Sequence, residues 1–238
     1  MTWLLIVLPA LAAGLVQGLT GFGAVIIMMI FFPAILPIDQ AAGTGGVIML
    51  TSVVGLTLRY HRYFSFKRVI IPFLVYAAMA TWSVHLGSVL DAHLLRMLLG
   101  GLLVALCAYF TLAKGAGAHK YPWYVAGAFM LISGFFNGLF GIGGPLMALY
   151  FLSLSDSMPD YIANIQGFFL IDTLYITSLR VANGILTVHN VPYILAGMVA
   201  ASLGTILAAR LLTRLDPDRI KKIIYGFIGL SGLYYLLV

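Results

Sequence analysis

The chain is a succession of eight long apolar runs separated by short polar stretches, and this feature decides which solvent it can fold in. The runs cover residues 2–36, 39–58, 69–90, 94–113, 121–155, 158–181, 188–209 and 220–238. A helix needs ~20 predominantly apolar residues to cross a bilayer, so every run is long enough to span. Composition closes the soluble alternative. Of 238 residues 62% are hydrophobic and 8% charged, with mean hydropathy +1.07, where a soluble domain carries about 25% charged residues. The expected fold class is all-α, a polytopic membrane protein whose first partner is the lipid bilayer.

The charges are few and one-sided: 13 Lys+Arg against 7 acids, all of them Asp, for a formal net charge of +6. On a soluble domain such a balance suits nucleic acid. Here the basic residues sit in short clusters between apolar runs, so no nucleic-acid partner is expected. Cys107 is the only cysteine and lies inside an apolar run, which excludes a disulfide framework. The opening run resembles a secretory signal, but no Lys or Arg precedes Arg59. The positive leader region is missing, and the run is expected to be retained.

The chain repeats itself. A shift of 120 positions places Trp3 on Trp123, Gly14 on Gly134, Gly18 on Gly138, Gly21 on Gly141, Gly23 on Gly143 and Pro72 on Pro192, with Gln17 on the amide Asn137. After a further offset of five, Asp91 meets Asp216 and Arg96 meets Lys221. This is an internal duplication, with repeats at 1–118 and 119–238.

The first run of each repeat, 2–36 and 121–155, is too long for one span. A straight helix of ~35 residues would reach ~52 Å, against a hydrocarbon core of ~30 Å. Each is interrupted by glycine, as Gly14-Leu-Val-Gln17-Gly18-Leu-Thr20-Gly21-Phe-Gly23 and Gly134-Phe-Phe-Asn137-Gly138-Leu-Phe-Gly141-Ile-Gly143-Gly144-Pro145. Each therefore reads as two half-helices folded into a re-entrant hairpin, followed by three spans. Charge supports this. Eight plain spans would place seven basic residues inside and six outside, whereas two hairpins and six spans, with both termini outside, place eleven of thirteen inside. The positive-inside rule selects the second arrangement, which makes the repeats inverted.

Unwound backbone survives in a bilayer only where protein buries it or water reaches it. Paired glycine-broken segments in two inverted halves point to a transporter's midplane site. The second arms begin near Ala24 and Gly144, and their free N–H groups and positive dipole ends would form an anion site without a fixed positive charge. Gln17, Thr20, Gly21, Gly23, Asn137, Gly141, Gly143 and Gly144 are the candidate substrate contacts. For any single glycine, close helix packing is the simpler account; the doubled motif as a unit argues for binding.

The stretch Gly134 to Pro145, with its degenerate copy at Gly14 to Ala24, resembles the paired glycine motifs of the TauE/SafE family of membrane permeases. The resemblance extends over the whole chain. It implies movement, often outward, of sulfite or small organosulfonates across a bacterial inner membrane. No nucleophile elbow, phosphate-cradling loop or metalloprotease signature appears in the sequence, so neither enzymatic activity nor a cofactor is expected. Ala24 and Val25 depart from the pattern, standing where the second copy has Gly144 and Pro145.

Three further residues, Thr44, Asn164 and Gln166, lie early in the spans after each hairpin and either line the cavity or bond between helices. Asp172 is the only acid away from a segment end, ~21 Å along its helix from Met158, with Arg180 ~12 Å further on. An ionisable group inside a membrane is a functional candidate by default; Asp172 is a proton carrier or gate, or a packing residue. The five histidines are scattered without metal-site spacing, and no metal is expected. The reading is an anion exporter working by alternating access. Proton-coupled import, a passive channel and a non-transporting scaffold are the alternatives, and the oligomeric state stays open.

Overall fold

The computed structural model describes residues 2–112, 120–211 and 217–237, with no side-chain detail at Leu19, Thr20 and 209–223. The repeat boundary expected at 118/119 lies outside the described residues. Among those described there are ten α-helices and no strand: α1 Thr2–Thr20, α2 Ala24–Phe31, α3 Ile38–Tyr60, α4 Phe66–Val89, α5 Ala92–Leu112, α6 Trp123–Phe140, α7 Gly144–Leu154, α8 Met158–Ala182, α9 Val191–Leu211 and α10 Pro217–Leu237. Six of the helical stretches are long and apolar enough to cross a bilayer, at Ile38–Tyr63, Phe66–Val89, Ala92–Leu112, Trp123–Phe140, Met158–Ala182 and Val188–Ala208. The protein is a polytopic all-α membrane protein.

Both long apolar runs break where their glycines fall. Gly23 has φ 92° and Gly141 φ 71°, left-handed backbone that a side chain with a Cβ rarely adopts. Pro145 occupies the first turn of α7, where its missing N–H costs nothing. The arms are unequal, however. The first hairpin pairs 19 residues with 8, and the second pairs 18 with 11. The half-helices expected from the glycines are a long arm of ~28 Å and a short return, because the apolar run before each glycine cluster is itself about as long as a span.

The earlier glycines of each motif do a different job. A Cβ at Gly14 would collide with the Ala201 carbonyl, and one at Gly18 would lie 2.7 Å from the Ala208 methyl, so α1 packs directly on α9. In the other half, Cβ atoms at Gly134 and Gly138 would collide with the carbonyls of Tyr76 and Ala80, so α6 packs on α4. These are small-xxx-small contacts, and they recur with the same 120- and 125-residue offsets that relate the sequence halves.

Two pairs of corresponding helices, α3 with α8 and α5 with α10, run antiparallel. The start of α8 meets the turn after α3, where Asn164 Oδ1 accepts from the Ser65 amide at 2.9 Å, and the turn after α8 meets the start of α3, where Asn190 Nδ2 donates to Gln40 Oε1 at 3.3 Å. Likewise Phe110 stacks on Tyr225 at 4.7 Å while Gly100 approaches Leu236 at the opposite ends of α5 and α10.

Candidate functional site

The two elbows pack against each other in the protein interior. A Cβ on Gly141 would stand 3.0 Å from Val25 Cγ1, and one on Gly144 would stand 3.3 Å from Phe22 Cβ. Around this contact lie two adjoining cavities of about 20 Å³ each, both lined by Val25, Met49, Asn137, Gly141 and Asp172. The first also touches Gly23, Gly143 and Gly144, and the second reaches Gly43, Thr177 and Arg180.

The polar groups of this region form one connected set. Asp172, 4% exposed, accepts from Asn137 Nδ2 at 3.1 and 3.2 Å and from the Tyr76 hydroxyl at 3.3 Å. Arg180 is 2% exposed and donates through Nη2 to the carbonyls of Asn137 at 3.2 Å and Gly138 at 2.9 Å. Those carbonyls end α6, where the broken helix presents its negative dipole end. The guanidinium therefore caps α6 and places a fixed positive charge at the cavity wall. The sequence reading placed no fixed positive charge at the elbows, and the structure puts one beside them. Arg180 lies near the end of its apolar run, where a basic residue reads as a loop charge, yet its side chain turns back into the protein.

The hairpins are not chemically equivalent. In the first, Gln17 closes on its own elbow, donating from Nε2 to the Gly21 carbonyl at 3.2 Å and accepting at Oε1 from the Ala24 amide at 3.4 Å. Its counterpart Asn137 is one methylene shorter and turns to Asp172 instead, and α7 begins at Gly144 with Gly143 at its N-cap and no side-chain cap. In the first repeat Ser52 stands at the position of Asp172 and Tyr60 at that of Arg180; Ser52 bonds the Thr205 hydroxyl at 2.8 Å. The charged chemistry belongs to the second repeat.

A family profile described as "Sulfite exporter TauE/SafE" matches residues 6–235. The chain belongs to the TauE/SafE family. It is therefore a membrane transporter of a sulfite exporter family, and a multi-pass integral membrane protein. No curated protein and no solved structure matches it.

Within this TauE/SafE chain the candidate residues divide. Gly23, Asn137, Gly141, Gly143, Gly144 and Asp172 come together at the cavities. Gly21 and Gln17 shape the first elbow, and Gln166 clamps it by donating to the Gly21 carbonyl at 2.6 Å. Asn164 faces the turn after α3, not the cavities, and accepts from Ser65 while donating to Asp160 Oδ1 at 2.9 Å. Thr44 is fully buried on α3 with an unpartnered hydroxyl and lines neither cavity; the side chain of Thr20 lies outside the described residues. Sequence reasoning missed Tyr76 and Arg180 as site residues. Arg180 carried a usable signal: it follows Asp172 by eight residues, nearly the same helix face. Tyr76 carried none, because its partner lies in the other repeat.

Proposed function

We propose that this TauE/SafE protein exports a small sulfur-containing anion, sulfite or a small organosulfonate, across a bacterial inner membrane by alternating access between inverted halves. The observation that carries the reading is the buried Arg180 lining the same cavity as Asn137, Gly141 and Asp172, next to a first cavity bordered by the uncapped start of α7. A guanidinium, an amide donor and a helix N-terminus are the groups that hold an oxyanion. Antiparallel corresponding helices suit an inverted duplication. With Arg180 buried, only Arg96 remains as a basic residue on the outer side of the proposed topology, which strengthens the inside bias.

A cavity of about 20 Å³ holds a water, less than a sulfur oxyanion needs, so this conformation is closed around the site. Two turns close it. Phe64, after α3, covers Gly167 on α8, and Leu186, after α8, covers Gly43 on α3. The amides of Ile185 and Leu186 donate to the Arg180 carbonyl at 2.9 and 3.2 Å. Release of the Leu186 turn would open the Arg180 end, and release of the Phe64 turn the opposite end, giving access to alternate sides. With the inside negative, each exported negative charge gains ~2.3 kcal/mol per 100 mV, so export needs no coupling ion.

One observation favours a second reading, proton-coupled import. Ionised, Asp172 offsets Arg180 and opposes a second negative charge; protonated, it leaves Arg180 to balance one anion. Proton and anion would then favour each other's binding reciprocally. Anion flux in proteoliposomes at imposed potential and imposed pH gradient separates the two. Under the export reading, flux follows the potential and Asp172→Asn largely retains it. An Asn variant that loses only proton-driven flux would establish import instead.

A further inference from the structure

The two turns that close the site are held by clamps at equivalent places in the two halves, and the clamps differ in chemistry. At the start of α8 the Asp160 carboxylate accepts from Arg68 Nη1 on α4 at 2.8 Å and from Asn164 Nδ2 at 2.9 Å. Asn164 in turn accepts from the Ser65 amide at 2.9 Å. The turn that carries Phe64 is thereby tied to α8 by an ion pair and by a hydrogen bond braced on the same carboxylate. At the start of α3, Gln40 stands 120 positions before Asp160. Its Oε1 accepts from Asn190 Nδ2, just ahead of α9, at 3.3 Å. The other end of that amide is used within its own turn, where Asn190 Oδ1 accepts from the Thr187 amide at 3.0 Å and the Thr187 hydroxyl at 3.1 Å. Among the described residues, one long hydrogen bond between neutral side chains is the polar tie from the Leu186 turn to α3.

We propose that Asp160 sets the side toward which the empty site opens: its charged clamp keeps the Phe64 turn shut, the neutral clamp lets the Leu186 turn go first, and the Arg180 site is reached more readily from the outer face. This rests on the alternating-access reading and adds to it the residues that unbalance two otherwise equivalent gates. Hydrogen bonds to an ionised group are roughly twice as strong as neutral ones. The Arg68 side chain is 42% exposed, which limits what the ion pair contributes by itself, but Asp160 is only 16% exposed and also holds Asn164 in place. Packing acts in the same direction. Phe64 on Gly167 buries a larger side chain than Leu186 on Gly43, and burial stabilises in proportion to apolar area. The amide bonds from Ile185 and Leu186 to the Arg180 carbonyl stay within the turn after α8 and do not reach α3.

A cysteine inside the site tests it. Gly46 borders the second cavity, and a Cβ there meets nothing within 4 Å, so Gly46→Cys in a Cys107→Ala background puts a thiol where the site opens. Its reaction with a small, impermeant methanethiosulfonate reagent bearing a sulfonate is timed separately from the two faces of oriented proteoliposomes. Reaction is expected to be faster from the outer face. Asp160→Asn keeps the shape of the clamp and removes its charge, and should raise the inner-face rate about fivefold while lowering the outer-face rate. Arg68→Gln removes the same pair from its other side and should give the same shift, so a loss of fold in one variant leaves the other to decide. Gln40→Glu charges the outer clamp and should slow the outer-face reaction. Faster reaction from the inner face with both clamps intact, an inner-to-outer ratio unmoved by Asp160→Asn and Arg68→Gln, or no reaction from either face of a thiol that labels once the protein is unfolded would each overturn the proposal while alternating access stood. Rates that rose together on both faces would refute alternating access itself, and the proposal with it.

Discussion

At the residue scale the second elbow is the least forgiving part of the molecule. A Cβ at Gly143 would run into the Tyr76 hydroxyl and stand 3.0 Å from the Ser133 carbonyl, and Gly141 combines φ 71° with Val25 at 3.0 Å. Gly141→Ala is expected to destabilise by ~1–3 kcal/mol, read as a fall in thermal midpoint. The two hairpin amides separate stability from function. Gln17→Ala removes the acceptor of the Ala24 amide and one of the two donors to the Gly21 carbonyl and should lower the midpoint, at ~1–3 kcal/mol, while leaving anion affinity unchanged. Asn137→Ala removes the amide donor to Asp172 and should weaken anion binding as well. If Gln17→Ala weakened anion binding as much as Asn137→Ala, the assignment of the site to the second repeat would be wrong.

At the element scale the proposed alternating access requires the two turns to move. Phe64 and Leu186 each cover a glycine or small-residue face across the α3–α8 pair, and neither turn is longer than a few residues between helices. Leu186→Ala removes the side chain that covers Gly43 and should raise the rate of anion exchange across proteoliposomes, with the largest effect on opening at the Arg180 end. An unchanged exchange rate would show that this turn is no gate. The hairpins were legible in the sequence because glycine is the residue that left-handed backbone demands, and the positions of the breaks match it. Arm lengths were not legible, since glycine marks where a helix may stop without saying how far the preceding helix runs. Asn164 kept two readings in the sequence for a related reason: a polar residue in an apolar run reads the same whether it faces a cavity or bonds across to a neighbouring segment, and only the position of Ser65 decides.

At the scale of the whole molecule, duplication explains the architecture and its failure explains the chemistry. Glycine pairs at 14/18 and 134/138 set the same helix contacts in both halves, whereas Asp172 and Arg180 have no equivalents in the first repeat. The duplication was readable from Trp, Gly and Pro positions; the asymmetry was not, because Arg180 looks like a loop charge until its side chain is seen under the α6 terminus. Inversion makes a direct topological prediction. In a Cys107→Ala background, Arg62→Cys and His189→Cys should react with an impermeant thiol reagent from opposite faces of the membrane, Arg62→Cys from inside. Labelling of both from one face would refute the inverted arrangement.

The central claim is that Arg180 supplies the positive charge of an anion site at the second elbow. The most direct measurement is stabilisation of the purified protein by sulfite, titrated in parallel on the native chain, Arg180→Lys and Arg180→Gln. Loss of charge-assisted hydrogen bonds worth ~1.5–3 kcal/mol predicts apparent affinity falling at least about tenfold in Arg180→Gln and less in Arg180→Lys, with both variants folded at low temperature. Undiminished sulfite stabilisation in a folded Arg180→Gln protein would contradict the account.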